Sequence, residues 1–171
     1  MLRNLTITGV MLFVVVLMTA DYSFSQSHQA EINTLKGLKG IGVSVGNIDT
    51  DAVADGLSKT KLLTSITEKL KSSDIKVFTD LELRTIGGQP RLVLNVNTVK
   101  QPGPIYIFTL TLDFNQIVLL ERNNGLTAVS PTWSVLTTGG TLPEDLSASV
   151  QTALDPMVDS FISDFQKANP K

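Results

Sequence analysis

Alternation between bulky and small side chains dominates the middle of the chain. From Arg91 to Val99, Leu92, Leu94 and Val96 fall on one side of an extended backbone, and Val93, Asn95 and Asn97 fall on the other. The period of two resumes at Ile105. Its heavy side is Tyr106, Phe108, Leu110, Leu112 and Phe114, and its light side is Ile107, Thr109, Thr111 and Asp113. This strand is expected to run past Asn115 to Leu120. Pro102-Gly103-Pro104 separates the two strands as a turn. Asn123-Asn124-Gly125 predicts a hairpin turn, because Asn-Gly readily takes positive φ. The returning strand is expected over Thr132 to Thr137, ending at Gly139-Gly140. Val43 and Val45 flank Ser44 in a short strand, and Gly40, Gly42 and Gly46 mark bends or close backbone packing there. Ile75-Lys76-Val77-Phe78 reads as one more short strand.

Two segments carry the helical period instead. Leu62, Leu63, Ile66 and Leu70 form one stripe. Ser58 stands in the N-cap position, with Leu57 and Leu62 spaced as a hydrophobic staple. The helix should stop at Ser72-Ser73-Asp74. Near the C-terminus, Leu146, Val150, Ala153, Leu154, Met157, Phe161 and Phe165 form a second stripe. Thr141 and Glu144 have capping-box spacing ahead of it, with Pro143 early in the helix. Pro156 predicts a kink or a break, and Asn169-Pro170 ends the element. Thr79 and Glu82 also have capping-box spacing and predict one helical turn through Leu83, broken by residues 87–90. Asn47 to Gly56 reads as a turn-rich loop. The order predicts an α+β fold: a mainly antiparallel or mixed sheet of four to five strands, with two helices packed on one face.

The N-terminus changes the picture from a bare fold to an exported one. Arg3 precedes the apolar run Val10 to Met18, and Ser23 and Ser25 flank Phe24 in a small-x-small arrangement that suits signal-peptidase cleavage before Gln26. Residues 1–25 are therefore expected to be a signal peptide, 26–36 a polar flexible leader, and 37–171 a single α+β domain. The expected location is periplasmic or secreted, with no membrane span after cleavage, although counting Leu5 and Ile7 into the run would leave room for an uncleaved anchor. About 146 residues remain, enough to bury a core without staples. The chain has no cysteine, which excludes disulfides, thiolate metal sites and lipidation through cysteine. The net charge of −2 argues against nucleic acid as a partner. Lysines cluster between Lys36 and Lys76. Beyond Arg122 the acids Glu144, Asp145, Asp155, Asp159 and Asp164 outnumber Lys167 and Lys171. These read as two solvated helix faces of differing sign.

Candidate chemistry is sparse. The single histidine, His28, sits in the expected leader, where nothing orients it, so thiol–imidazole and Ser-His-Asp machinery are not expected. Asp49, Asp51 and Asp55 cluster, but counting from Asp49 puts Val53, Ala54 and Thr60 where an EF-hand loop needs a ligand, glycine and glutamate. Asp80/Glu82 and Glu144/Asp145 suit helix starts. The glycines from Gly37 to Gly42 lack the order of a phosphate loop. Trp133, alternating with Thr132 and Ser134, is expected in the core. No catalytic residue, metal ligand or cofactor is predicted, and the chain is read as a non-enzyme. The suggestive surface is the light sheet face. Asn95, Asn97, Ile107, Thr109 and Thr111 would form a flat, hydrogen-bonding and mildly apolar platform if no helix covers it.

Two stretches carry a resemblance. One runs from Gly56-Leu57-Ser58 through Leu62-Leu63, Leu70 and Ile75-Lys76-Val77 to Leu81-Glu82-Leu83. The other joins Thr132-Trp133 to Val158-Asp159-Ser160-Phe161-Ile162, Phe165 and Ala168-Asn169-Pro170. Together they resemble small uncharacterised exported bacterial proteins, and the element order is similar to the N-terminal domain of TolB and to the lipoprotein LptE. The resemblance implies an accessory or assembly role in the cell envelope, without a reaction, and the missing lipidation cysteine departs from the LptE pattern. The expectation is a periplasmic accessory protein that binds a protein or another envelope component, with self-association left open. The alternatives are binding of a lipid-like apolar molecule between helices and sheet, and a carboxylate-based hydrolase built from two converging acids.

Overall fold

The computed structural model describes residues 27–170. The expected signal peptide, with its cleavage site before Gln26, lies outside them. Helix α1 covers residues 27–34. There follow β1 (Gly42–Val45), α2 (Thr50–Ala54), α3 (Lys59–Ser72), α4 (Asp80–Leu83), β2 (Arg91–Gln101), β3 (Ile105–Leu120) and β4 (Asn123–Thr141). A 3₁₀ turn (Pro143–Asp145) leads into α5 (Leu146–Ala168). The strands form one mixed sheet in the order β1-β2-β3-β4, with β1 parallel to β2 and the remaining pairs antiparallel. The fold is α+β, as the patterning predicts.

The heavy side of the alternation builds the core. Leu92, Leu94, Phe108, Leu110, Leu112, Phe114 and Trp133 are buried against the stripes of α3 (Leu62, Ile66, Leu70) and α5 (Val150, Leu154, Phe161). Phe161 stands at the centre, its ring 5.5 Å from Phe114 and 5.2 Å, edge-on, from Trp133. Aromatic pairs at these separations and tilts add to the area they bury. Helix α3 starts as its sequence indicates: the Ser58 hydroxyl accepts the Lys61 N–H, and Leu57 and Leu62 are both buried. In α4 the Thr79–Glu82 capping box is complete, and the donated hydrogen bonds from Thr79 hold the Glu82 carboxyl below its ordinary pKa.

Several local expectations are corrected. The segment read as a flexible leader is helical and packs Ile32 and Leu35 into the core. Its apolar positions are three apart, the spacing of a helix face, amid otherwise polar residues. The Asn47 to Gly56 loop contains α2, which buries Ala52. Residues 75–78 make a single bridge, Ile41 to Val77, because the chain passes β1 only briefly there. β4 is longer than its expected core at both ends. Asn123 pairs with Leu120, so Glu121-Arg122 makes the reversal and Asn124-Gly125 lies within the strand. The expected Thr141 cap is absent, since its hydroxyl pairs with Ser149 at 2.8 Å. α5 runs unbroken through Pro156. Pro156 and Thr152, whose carbonyl loses its helical donor, are both exposed, so the proline falls on the solvent side of the helix while the opposite face stays packed.

The two ends of the described chain meet at Asn169. Its side chain accepts the Gly37 N–H at 2.7 Å and donates to the Leu35 carbonyl at 2.8 Å.

Candidate functional site

The strand register places the five platform residues together. Asn95 lies opposite Thr111, Asn97 opposite Thr109, and Val99 opposite Ile107. On the other flank β4 sets Leu136 beside Thr111, Thr138 beside Thr109 and Gly140 beside Ile107. The period of two sends all these side chains away from α3 and α5. Val99, Ile105, Ile107 and Leu136 are between 43% and 63% exposed. An apolar rim thus surrounds a polar middle. The hydroxyls of Thr109 and Thr138 are 3.3 Å apart, and Asp113 accepts from Ser134 at 2.6 Å and from Asn95 at 3.5 Å. Helix α4 covers only the β1 corner. There Leu83 sits where a Cβ on Gly42 would lie, and Arg91 pairs with Asp80 at 2.7 Å. What remains is a surface suited to a flat partner with hydrogen-bonding groups at its centre and apolar contacts around them.

Several of the acids are tied to hydrogen-bond donors. Asp49 accepts from the Thr98 hydroxyl at 2.9 Å. Asp55 accepts from the Tyr106 hydroxyl at 2.6 Å and from Lys100 at 3.0 Å. These donors, Tyr106 first, hold the Asp55 carboxyl below its ordinary value. The same contact with Asp55 raises both Tyr106 and Lys100. Asp155 and Asp159 flank Lys69 at 3.9 and 2.9 Å. Among the described residues, no group of three or more His, Asp or Glu side chains is placed to hold a metal ion.

One polar cluster escaped the sequence reading. Asp164, taken there as part of a solvated acidic face, is buried. It accepts from the Trp133 indole N–H and from Lys167, both at 3.0 Å. His28 lies with Nε2 3.3 Å from Asp164 and Nδ1 3.4 Å from Glu31. The histidine expected to be incidental therefore sits between α1 and α5, at the rim of a hollow of about 400 Å³ that Ser160 and Trp133 also line. The usable signal was spacing: Asp164 continues the stripe three residues after Phe161, and a buried indole needs an acceptor. With one acceptor serving an indole and an ammonium, the group reads as a tie between sheet, α1 and α5.

No protein-family model matches the chain, so the resemblance to the TolB N-terminal domain and LptE has no support from that side. No curated protein matches it. Among solved structures the chain is similar to a minor lipoprotein from Acinetobacter baumannii, at 9% identity, over 77% of this chain and 88% of that one, with a TM-score of 0.30. A likeness of that size carries no argument about fold or function. No helix among the described residues is long and apolar enough to cross a membrane.

Proposed function

We propose that this protein is a non-enzymatic accessory of the bacterial cell envelope, exported to the periplasm, and that its open sheet face binds another envelope component. The observation that carries the reading is the uncovered platform: Asn95, Asn97, Ile107, Thr109 and Thr111 on one face, rimmed by exposed Val99, Ile105 and Leu136. A single-sided antiparallel face in contact with water normally alternates to polar residues. Large apolar side chains around a hydrogen-bonding centre point instead to a surface that is covered in use. Export rests on the apolar run and small-residue pattern before Gln26. The lipid-like alternative has less support, because Phe114, Phe161 and Trp133 fill the space between sheet and helices.

The test is affinity capture from the periplasm with Thr109→Lys and Asn97→Lys, followed by mass spectrometry. Both variants are expected to fold normally and to lose a component that the wild type retains. Identical captured sets from wild type and variants count against the reading.

A further inference from the structure

The exposed apolar side chains of the outer sheet face fall into two groups. Val99, Ile105, Ile107 and Leu136 stand at one end. Ile117, Leu119 and Val129 stand at the other, where β3 and β4 run beyond the last pair with β2, Arg91–Asn115. Between them β3 presents Thr109, Thr111, Asp113 and Asn115. The charges that β2, β3 and β4 bring to this face are Arg91, which is paired with Asp80, and Asp113. Helix α1 closes the middle of the β4 edge, where Thr34 bonds the Thr132 carbonyl at 3.2 Å. It lies toward the core side, with Ile32 and Leu35 buried, and the outer face continues past it.

We propose that a second copy of this chain covers the face, the two sheets packing face to face about a two-fold axis that crosses β3 between Thr111 and Asp113. That partner presupposes the reading above, that the face is covered in use, and names the cover.

The order of side chains along β3 sets the axis. A two-fold lying across the strands turns β3 end for end over its copy. Placed between Thr111 and Asp113, it sets Ile107 over the second copy's Ile117, Ile105 over Leu119, Thr109 over Asn115 and Thr111 over Asp113. Apolar side chains meet at both ends, and each Thr111 hydroxyl can donate to a carboxylate. Asp113 has room for that donor: Ser134 bonds it at 2.6 Å, but Asn95 approaches only to 3.5 Å. An axis through Asp113 would instead bring two carboxylates together, and like charges facing across an interface are costly. One through Thr111 would lay Ile107 on Asn115.

The flanking elements fit the same axis. Val129 pairs with Ile117 and Gly140 with Ile107, so Val129 comes to lie over the second copy's Gly140, which has no side chain. Helix α4 rises at the β1 corner with Leu81 exposed. The two-fold carries it to the diagonally opposite corner, beside exposed Val99, where β1 has already ended opposite Leu94. Size suffices as well. From Ile105 to Leu119 the face is about 50 Å long, and a strip of three strands roughly 14 Å wide gives roughly 700 Å² per copy, close to the ~800 Å² of a stable interface.

Sedimentation velocity on the full chain, as it accumulates in a bacterial host, is expected to show monomer and dimer in exchange between about 1 and 100 µM. Ile107→Lys and Ile117→Glu should each weaken the dimer about tenfold or more while leaving the circular dichroism unchanged, because both side chains are exposed. Carried together in one chain, the two substitutions should restore the dimer, because each introduced ammonium then faces an introduced carboxylate across the interface. The two positions are about 34 Å apart along β3, too far to pair within one copy. A wild type that is monomeric at about 100 µM overturns the second copy. The reading of the face survives that result if Thr109→Lys still loses a captured component, and falls with it if the captured sets are identical. A dimer indifferent to both single substitutions also overturns the proposal, as does one that the paired substitutions fail to restore.

Discussion

The two sides of the sheet are built from the same strands and differ by a shift of one residue. On the inner side, Phe108, Leu110, Leu112 and Phe114 are buried beneath α3 and α5. On the outer side, the interleaved Ile107, Thr109, Thr111 and Asp113 face outward, and among the described residues α4 packs on this side at the β1 corner, beside Gly42 and Arg91. Bulk goes where helices exclude water, and hydrogen-bonding capacity goes to the side that solvent reaches. The inner side should therefore be sensitive to substitution in stability, and the outer side in association.

The largest effect is expected at Phe161→Ala. Its ring touches Phe114, Trp133 and Phe165, and truncation of a fully buried aromatic costs about 3–5 kcal/mol. Urea denaturation monitored by Trp133 fluorescence measures the loss, and a shift below about 1 kcal/mol would mean that the inner side is not the core described.

Trp133→Phe comes next. It keeps most of the packing but removes the indole donor from buried Asp164, at a cost of about 1–3 kcal/mol in the same experiment followed by circular dichroism. His28→Ala should leave most of that stability in place, because Trp133 and Lys167 still serve Asp164.

A smaller effect is expected at Asp55→Asn, and it depends on pH. The carboxyl of Asp55 is depressed in the fold, so its contribution is present above the ordinary Asp range and lost as pH falls through the lowered folded value. Tyr106 and Lys100 are raised, so theirs is present below their ordinary values and lost as pH rises through the raised ones. A plot of the denaturation midpoint against pH should show both limbs in the wild type, and both should be shallower in Asp55→Asn.

The smallest effect is expected on the outer side. Thr109→Lys and Asn97→Lys should change stability by no more than about 0.5 kcal/mol. A large loss at either position would erase the distinction between the two sides and recast the platform as structural.

Much of this division could be read from the residues alone. Alternation from Arg91 to Val99 and from Ile105 to Phe114 fixes which side chains share a face, because a pleated strand has no other period. The stripes of α3 and α5, the Ser58 cap and the Thr79–Glu82 box depend on spacings within one element, and they too were legible. The failures involve contacts between distant segments. Ile32 and Leu35 look incidental until α1 is seen against the bulge near Thr132, where Thr34 donates to the Thr132 carbonyl at 3.2 Å. The Asn-Gly pair suggested a turn, but the strand partners chose Glu121-Arg122 and drew Asn124-Gly125 into β4. The platform residues were identifiable as a set. That they stay uncovered depends on where α4 comes to rest, and no local pattern encodes that.

The clasp at Asn169 has a topological consequence. With Gly37 in contact with Asn169, the start of α1 lies within roughly 20 Å of the end of α5, so a linker from Ser27 to Pro170 would close the sequence into a ring that keeps α1, and new termini could be opened at Pro102-Gly103-Pro104 without cutting a strand. Such a permutant would carry any fused tag next to Ile105 on the platform rather than at the clasp, so tethered reporters could be delivered to either end of the molecule with the interior unchanged.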